Sequence, residues 1–253
     1  MYRILLLLIS FSFSIELAPY TKILENVVGE KEYSLDGLKF THTYVDYKKL
    51  KESSALQTLL KQQLQLFAKA QPPTEKQAKL SFWINAYNFF TLVDVQSHFP
   101  IKSMKKIGWK KKHHIVNGKK LSLDKIEHSL IRPLGEAKVH FAMNCASVGC
   151  PTLRPKPYTP QNLQAELVAS VKNSLKNPLH LRSHDGWFFS SKGVSASKIF
   201  TWFRKDFKSV EGFINSFAPK SLANKKVYTN IDYNWSLNTK SNVLKAFAEL
   251  KLK

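Results

Sequence analysis

The segment that most constrains the fold of this chain is Leu80–Val95, with the sequence LSFWINAYNFFTLVDV. Apolar side chains occupy almost every face of the helix that this segment predicts, and such a helix is normally buried on all sides. We expect the helix to begin at Thr74, with Gln77 as a capping-box partner, and to end near His98. The remaining elements must therefore pack around it.

The same helix carries one polar stripe, because Ser81, Asn85 and Asn88 follow one another at helical spacing. A buried asparagine without partners costs about 1–3 kcal/mol, so both amides are expected to be hydrogen-bonded. Two interpretations are open. The amides bridge to the backbone of a neighbouring loop, or one of them orients a catalytic group or binds substrate.

Helical and hairpin patterns mix irregularly along the chain, which favours an α+β fold over a doubly wound sheet. We expect a single domain of helices packed on a mostly antiparallel sheet with hairpins. Asn117–Gly118 and Asp185–Gly186 are predicted to be the tight turns of two hairpins. A buried strand is predicted over residues 138–144.

Four parts are predicted along the chain: a signal peptide at 1–14 with cleavage as late as residue 18, an N-terminal helical extension at 15–73, the main domain at 74–238, and a C-terminal helix and tail at 239–253. Arg3 precedes a short apolar run, and a bilayer span needs about 20 apolar residues. The run therefore predicts export to the periplasm or the medium of a bacterium. An uncleaved membrane anchor is the alternative.

The chain is strongly basic, with 39 lysines and arginines against 18 acidic residues and a net charge of +21. Only five of these cations are arginines, the residue that nucleic-acid readers exploit, so the balance argues against nucleic acid as partner. The densest lysine patch, within residues 102–112, is a solvated loop or a contact for an anionic partner, which is an envelope polymer such as a polysaccharide, a lipid or a nucleic acid. Arg132 and Arg154 are candidates for carboxylate pairing or for holding a substrate carboxylate.

The two cysteines of the chain, Cys145 and Cys150, follow the predicted strand in the stretch VHFAMNCASVGCPTLR. Three interpretations are open. The pair forms a structural disulfide, as is common in an oxidising compartment. Both are inert thiols. Alternatively Cys145 is reactive, and Cys150 is its resolving thiol.

A nucleophilic thiol needs a base within hydrogen-bonding reach, and His128 is the favoured candidate. It belongs to a short predicted helix just before the cysteine loop and shares a helix face with Arg132. Glu127 or Asn85 would orient its ring, as in a catalytic triad. The alternative is a structural histidine.

Other histidines are less suited to this role. His140 would face away from Cys145 in a strand, and His113 and His114 fall in a lysine-rich hairpin where we expect them to be solvated. No metal-binding signature and no glycine-rich phosphate loop is present. We therefore expect no metal and no cofactor.

Five motifs occur in an order that resembles one family: SFWINAYN, LSLDKIEHSLIRP, VHFAMNCASVGCPTLR, SKIFTWFRKDF and IDYNWSLN. The chain resembles the domain-of-unknown-function family 547, DUF547, over Thr74–Asn238. The resemblance implies a conserved α+β domain of bacteria and plants with a W-I-N-x-Y-N helix, an E-H element and a cysteine after an H-F-A segment. It also implies that the position of Cys150 varies between members, which favours a functional Cys145. It carries no settled activity.

Two functions are predicted. In the first, the protein is a cysteine-dependent hydrolase or acyltransferase of the cell envelope, with Cys145 attacking an amide or ester and the amides of the Ala146–Gly149 loop binding the oxyanion. In the second, it is a non-catalytic ligand- or polymer-binding module with a structural Cys145–Cys150 disulfide.

Overall fold

The computed structural model describes residues 15–184 and 192–250, and these residues confirm the α+β class. The α-helices are α1 (Ala18–Val27), α2 (Tyr47–Glu52), α3 (Ser54–Lys69), α4 (Lys76–His98), α5 (Leu123–Lys125), α6 (Leu163–Ser174), α7 (Ile199–Trp202), α8 (Val210–Phe217) and α9 (Lys240–Glu249). The strands are β1 (Val28–Leu35), β2 (Leu38–Val45), β3 (His114–Val116), β4 (Lys119–Leu121), β5 (Leu181–His184), β6 (Gly193–Ser197) and β7 (Val227–Ile231). The predicted signal peptide and the turn at Asp185–Gly186 lie outside the described residues.

Helix α4 is the centre of the main core, as its sequence predicts, and every residue from Leu80 to Leu92 is buried. Its N-cap differs from the prediction, because the Glu75 carboxylate accepts hydrogen bonds from the amides of Gln77 and Ala78. Neither α4 nor any other helix within 15–184 and 192–250 is long and apolar enough to cross a membrane.

The N-terminal part of the chain covers one side of α4, and Tyr20 and Phe67 each pack on Phe89 with ring centroids 5.4 Å apart. The sequence predicted a helical N-terminal part, but this part also contains two strands. β1 and β2 form an antiparallel hairpin that turns at Asp36–Gly37, where both residues have positive φ. Two separate helices, α2 and α3, follow this hairpin, because Ser53 leaves the helical conformation and caps α3.

The strands of the described residues form three small sheets rather than one. β1–β2, β3–β4 and β5–β6 pair antiparallel, and β6–β7 pair parallel. The turn between β3 and β4 is the predicted one, since Asn117 and Gly118 have φ of 48° and 69°. Hairpins thus flank the helices, and a second core with Phe141, Phe200 and Ile214 forms between α6, α7, α8 and the β5–β6–β7 sheet.

The strand predicted over residues 138–144 is wrong. A helical turn spans Ala137–Phe141 instead, and the chain continues from it in irregular conformation to Cys145. An apolar run of this length fits a strand or a buried helical turn equally well. The turn is favoured here because it buries His140 against Phe203 and Phe141 against Phe200.

Candidate functional site

Cys145 lies in the wall of a pocket of about 200 Å³, formed where the segment after α4 meets the segment after β6. Most ligand pockets measure about 300–1,000 Å³, so this one has room for a short acyl group or a single side chain. Aromatic and titratable groups line it: Tyr87, Trp109, Asp124, Glu127, His128, His140, Met143, Cys145, Cys150, Pro151, Ile199, Trp202, Phe203, Tyr233 and Trp235.

The sulfur of Cys145 is surrounded by hydrogen-bond donors. The hydroxyl oxygens of Ser147 and Tyr233 each lie 3.0 Å from it, and the thiol of Cys150 donates to it. Burial alone would raise the pKa of the Cys145 thiol, but hydrogen bonds from Cys150, Ser147 and Tyr233 outweigh it and lower the pKa to about 7. The half-buried Cys145 is therefore substantially ionised at neutral pH.

Both cysteines are free thiols, and their sulfur atoms lie 2.7 Å apart. Cys150 is buried, and burial together with the neighbouring Cys145 holds the pKa of its thiol well above the ordinary value. The backbone amide of Cys145 donates to the Cys150 sulfur at 2.8 Å. One thiol of the pair is thus poised to ionise and to face the pocket, while the other keeps its proton.

The backbone amides of the cysteine loop are not free to bind an oxyanion. The amide of Ala146 donates to the Asn144 side chain, that of Val148 to the Ser236 carbonyl and that of Gly149 to the Asn234 carbonyl. The Ser147 amide donates to the Cys145 sulfur. The expected oxyanion site in this loop is therefore wrong, because each of these donors already has a partner within the protein.

Ala146 adopts a left-handed conformation with φ of 60°, directly after the candidate nucleophile. Backbone in this region is unfavourable for residues with a Cβ atom and is found preferentially at functional sites. The turn aims the Ser147 hydroxyl back at Cys145. A Cβ on Gly149 would approach the Asn234 amide nitrogen to 2.8 Å, so glycine is required where the loop meets the chain after β7.

Glu127 and His128 lie on a π-helical turn, Ile126–Ile131, that continues α5. Single π-helical turns are rare and are frequently located at functional sites. Burial raises the pKa of the Glu127 carboxyl, although nearby His128 and a hydrogen bond from Tyr87 oppose this effect. The charge of Cys145 raises it further, which means that the two groups are close enough to interact.

His128 lines the pocket without contacting the nucleophile. Its Nδ1 atom lies 2.7 Å from a guanidinium nitrogen of Arg132. Arginine can only donate, so Nδ1 accepts and the neutral ring carries its proton on Nε2. Across residues 15–184 and 192–250, no histidine forms a hydrogen bond with Cys145. In this tautomer the Nε2–H of His128 donates hydrogen bonds, and Nδ1 is already occupied by Arg132.

Arg132 anchors the outer wall of the pocket. Its guanidinium forms a two-pronged ion pair with Asp206, at 2.6 and 2.9 Å, and Asp206 also accepts from Nε2 of His140 at 2.8 Å. The His140 ring stacks on Phe203 with centroids 4.0 Å apart. Burial lowers the pKa of His140 to about 4, so this ring is neutral. The reason for setting His140 aside was wrong, since it lines the same pocket as Cys145.

Residues 71–173 match the family model described as "Protein of unknown function, DUF547". This part of the chain is a DUF547 domain. Three of the five motifs fall inside the matched residues, and SKIFTWFRKDF and IDYNWSLN lie beyond them. No curated protein and no solved structure matches the chain.

The DUF547 segment contributes the polar groups that the sequence singled out in the pocket, namely Cys145, Cys150, Glu127 and His128. Asn88 lies behind them. Its side-chain amide donates to the Ala142 carbonyl at 2.9 Å and accepts from the Asn144 amide at 2.8 Å. It therefore fixes the backbone that leads into Cys145.

Asn85 and Arg154 lie away from the pocket. Both ends of the Asn85 amide are bound to the backbone of Tyr158, at 2.7 and 2.9 Å, so this residue orients a loop and not His128. Arg154 forms an ion pair with Glu166 at 2.6 Å. Arg132 and Arg154 thus each pair with a carboxylate of the protein, which is the first of the two roles that the sequence suggested. Neither guanidinium is free to hold a substrate carboxylate.

The site residues that the sequence did not single out lie mostly after the DUF547 segment. Tyr233 and Trp235 belong to the motif IDYNWSLN, and Asp206 to SKIFTWFRKDF. Their membership of motifs far from Cys145 in sequence was the available signal. Ser147, two residues after Cys145, could have been recognised as a loop hydroxyl close to the thiol.

Proposed function

We propose that the protein is a thiol-dependent enzyme, a hydrolase or acyltransferase for an amide or ester, in which Cys145 is the nucleophile. The observation that carries the proposal is the environment of the Cys145 sulfur, which faces the pocket and is hydrogen-bonded by Ser147, Tyr233 and Cys150. Because the pKa of this thiol lies near neutrality, no separate base has to remove its proton before attack.

In the first step the Cys145 thiolate attacks the carbonyl carbon of the substrate, and a tetrahedral oxyanion forms. The Tyr233 hydroxyl, 3.0 Å from the sulfur, is the donor best placed for that oxygen. The bond to the alcohol or amine then breaks, and a thioester remains on Cys145. Water or an acceptor attacks the thioester, transfers the acyl group and restores the thiolate.

The leaving group needs a proton, and Glu127 is the group that supplies it. Burial raises the pKa of its carboxyl, which makes Glu127 a better general acid than a glutamate of ordinary pKa. The carboxylate that remains takes a proton from the incoming water or acceptor in the second step. His128 presents its Nε2 proton to the same pocket and assists as a hydrogen-bond donor, while Tyr87 holds Glu127 in place.

A second candidate function is thiol–disulfide exchange, favoured by the 2.7 Å separation of the two sulfurs. Here Cys145 attacks a substrate disulfide and releases one substrate thiol. Cys150 loses its proton and attacks Cys145, which releases the second thiol and leaves a Cys145–Cys150 disulfide. An external thiol must then reduce that disulfide.

The non-catalytic alternative, a ligand-binding module with a structural disulfide, predicts that neither thiol reacts without prior reduction. We propose further that the chain is exported, on the basis of Arg3 and the apolar run after it, and that its lysine-rich surface meets anionic envelope polymers. Lys105 supports a contact near the site, since its ammonium lies 5.2 Å over the ring of Trp235 in the pocket wall.

The proposal is tested by alkylation of the purified protein at a series of pH values, with each cysteine assigned by mass spectrometry. Cys145 should react with a midpoint near pH 7, and Cys150 should stay unlabelled over the same range. Cys150→Ser is the matched control, because it removes the neighbouring sulfur and keeps the nucleophile. A Cys145 that reacts with the midpoint of an ordinary thiol, or only after reduction, contradicts the proposal.

The two chemistries are separated with two probes. A short-chain activated ester should leave an acyl group on Cys145 that is absent from Cys145→Ser, if the protein transfers acyl groups. A small disulfide should leave a stable mixed disulfide on Cys145 only in the Cys150→Ser variant, if Cys150 is the resolving thiol. Reaction with neither probe, despite a reactive Cys145, points to a substrate class outside these two.

A further inference from the structure

We propose that Asp94, His113 and His114 form a binding site for a divalent transition-metal ion of the zinc type, separate from the Cys145 pocket. One ligand atom from each residue lies within 4.8 Å of the other two. Asp94 projects from α4, and the two histidines stand at the start of the β3–β4 hairpin. The ion would fasten this hairpin to the central helix.

His114 does not occupy the solvated position that the sequence suggested, whereas His113 is exposed as expected. His114 and Asp94 are buried, and only His113 is partly open to solvent, with 37% of its side chain exposed. The His114 ring stacks on Phe90 with centroids 4.3 Å apart. The polar cluster therefore has an apolar floor and one open side, which is the arrangement of a metal site that retains a water ligand.

The hydrogen bonds of His113 direct its Nε2 atom at the carboxylate of Asp94. Its Nδ1 atom lies 2.9 Å from the Lys111 carbonyl, and a carbonyl can only accept, so Nδ1 carries a proton. In a neutral ring Nε2 then has no proton and carries a lone pair, yet this atom lies 2.7 Å from a carboxylate oxygen of Asp94. Two lone pairs repel, so either a second proton or a metal ion must lie between them.

The donor set suits a metal ion. An imidazole Nε2 with its Nδ1–H bound to a backbone carbonyl is the usual arrangement of a histidine ligand, because the second hydrogen bond fixes the ring. His114 directs its own Nε2 at the other Asp94 oxygen, 3.1 Å away. Ligand atoms in a tetrahedral zinc site are about 3.3 Å apart for bonds of about 2.0–2.1 Å. The three ligand atoms lie within 4.8 Å of one another, so a bound ion would draw them to that spacing and a water would supply the fourth ligand.

The test is titration of the purified, chelator-treated chain with Zn²⁺ and Co²⁺. Cys145→Ser combined with Cys150→Ser serves as the working background, so that the thiols cannot act as ligands. We expect one ion per chain, a rise in melting temperature of roughly 5–10 °C at about a hundredfold excess over Kd, and the intense visible band of four-coordinate Co²⁺. His113→Gln, at the most exposed ligand, should weaken binding at least about tenfold.

The matched control is His98→Gln. His98 also contacts Asp94, but through the backbone carbonyl at 2.8 Å, so it is not part of the proposed ligand set. Equal binding by His113→Gln and the control overturns the proposal, as does the absence of Zn²⁺ binding in the background protein. If His113→Gln fails to fold, the Co²⁺ spectrum of the background protein decides: a weak octahedral spectrum refutes the site.

Discussion

Two asparagines on the same face of α4 allow the cost of a buried hydrogen-bond pair to be separated from its effect on the thiol. Asn88→Ala leaves the Ala142 carbonyl and the Asn144 amide without partners in a buried environment. Each lost partner costs about 1–3 kcal/mol, and removal of the asparagine side chain returns part of its own desolvation cost. We expect unfolding free energy to fall by about 3 kcal/mol.

Asn85→Ala is the control, because Asn85 makes the same pair of bonds, at 2.7 and 2.9 Å, to the backbone of Tyr158. Both asparagines are buried, so urea unfolding should show a similar loss of stability for both variants. Only Asn88 holds the backbone leading into Cys145. Asn88→Ala should therefore raise the alkylation midpoint of Cys145 by about one pH unit, the equivalent of about one hydrogen bond.

Urea unfolding monitored by circular dichroism gives the stability, and alkylation rates across pH give the midpoint. Equal midpoints for the two variants would refute the positioning role of Asn88. An unchanged urea midpoint in Asn88→Ala would refute the reasoning about orphaned backbone groups. The wild-type m-value must be retained in both variants, since a changed slope would mean that the unfolded or native ensemble had changed as well.

Three further perturbations test the remaining features. Tyr233→Phe removes a hydrogen-bond donor from the Cys145 thiolate and should raise the alkylation midpoint by about one pH unit. An unchanged midpoint would mean that the hydroxyl does not stabilise the thiolate. Burial lowers the pKa of His180 to about 4, so the unfolded chain binds more protons than the folded chain below pH 6.5. The unfolding free energy of the wild type should therefore fall by about 3 kcal/mol between pH 7 and pH 4 through this residue. Acid denaturation curves of His180→Leu should lack that part of the loss. Arg132→Lys breaks the two-pronged pair with Asp206 and should lower the melting temperature by about 2–4 °C, whereas an unchanged value would mean that the single ammonium replaces the fork.

Much of the fold could be predicted because its determinants are local. The apolar faces of α4 predict a central helix, and Asn117–Gly118 predicts the β3–β4 turn through its positive φ values. The segment before Cys145 could not be assigned in this way. Its alternation suits a strand, but contacts of His140 and Phe141 with the chain after β6 favour a helical turn.

In the candidate site, too, the residues that are close in sequence could be predicted and the distant ones could not. Cys145, Glu127 and His128 are close in sequence, and their common position in one pocket could be predicted. The contact of Cys145 with Tyr233 could not be predicted, because the two residues are 88 positions apart in the sequence. The predicted contact of Asn85 with His128 was wrong, because helical spacing identifies a polar stripe but not the loop that each side chain contacts.

The chemistry proposed for Cys145 depends on the pocket wall that residues 199–235 contribute. A chain cut after residue 173 would keep both cysteines, Glu127 and His128, but would lose the Tyr233 hydroxyl and the aromatic cover from Trp202 and Trp235. Its thiol would be ordinary and open to water. The reactivity proposed for Cys145 thus depends on both segments, and a chain that keeps only the first would keep the residues without that reactivity.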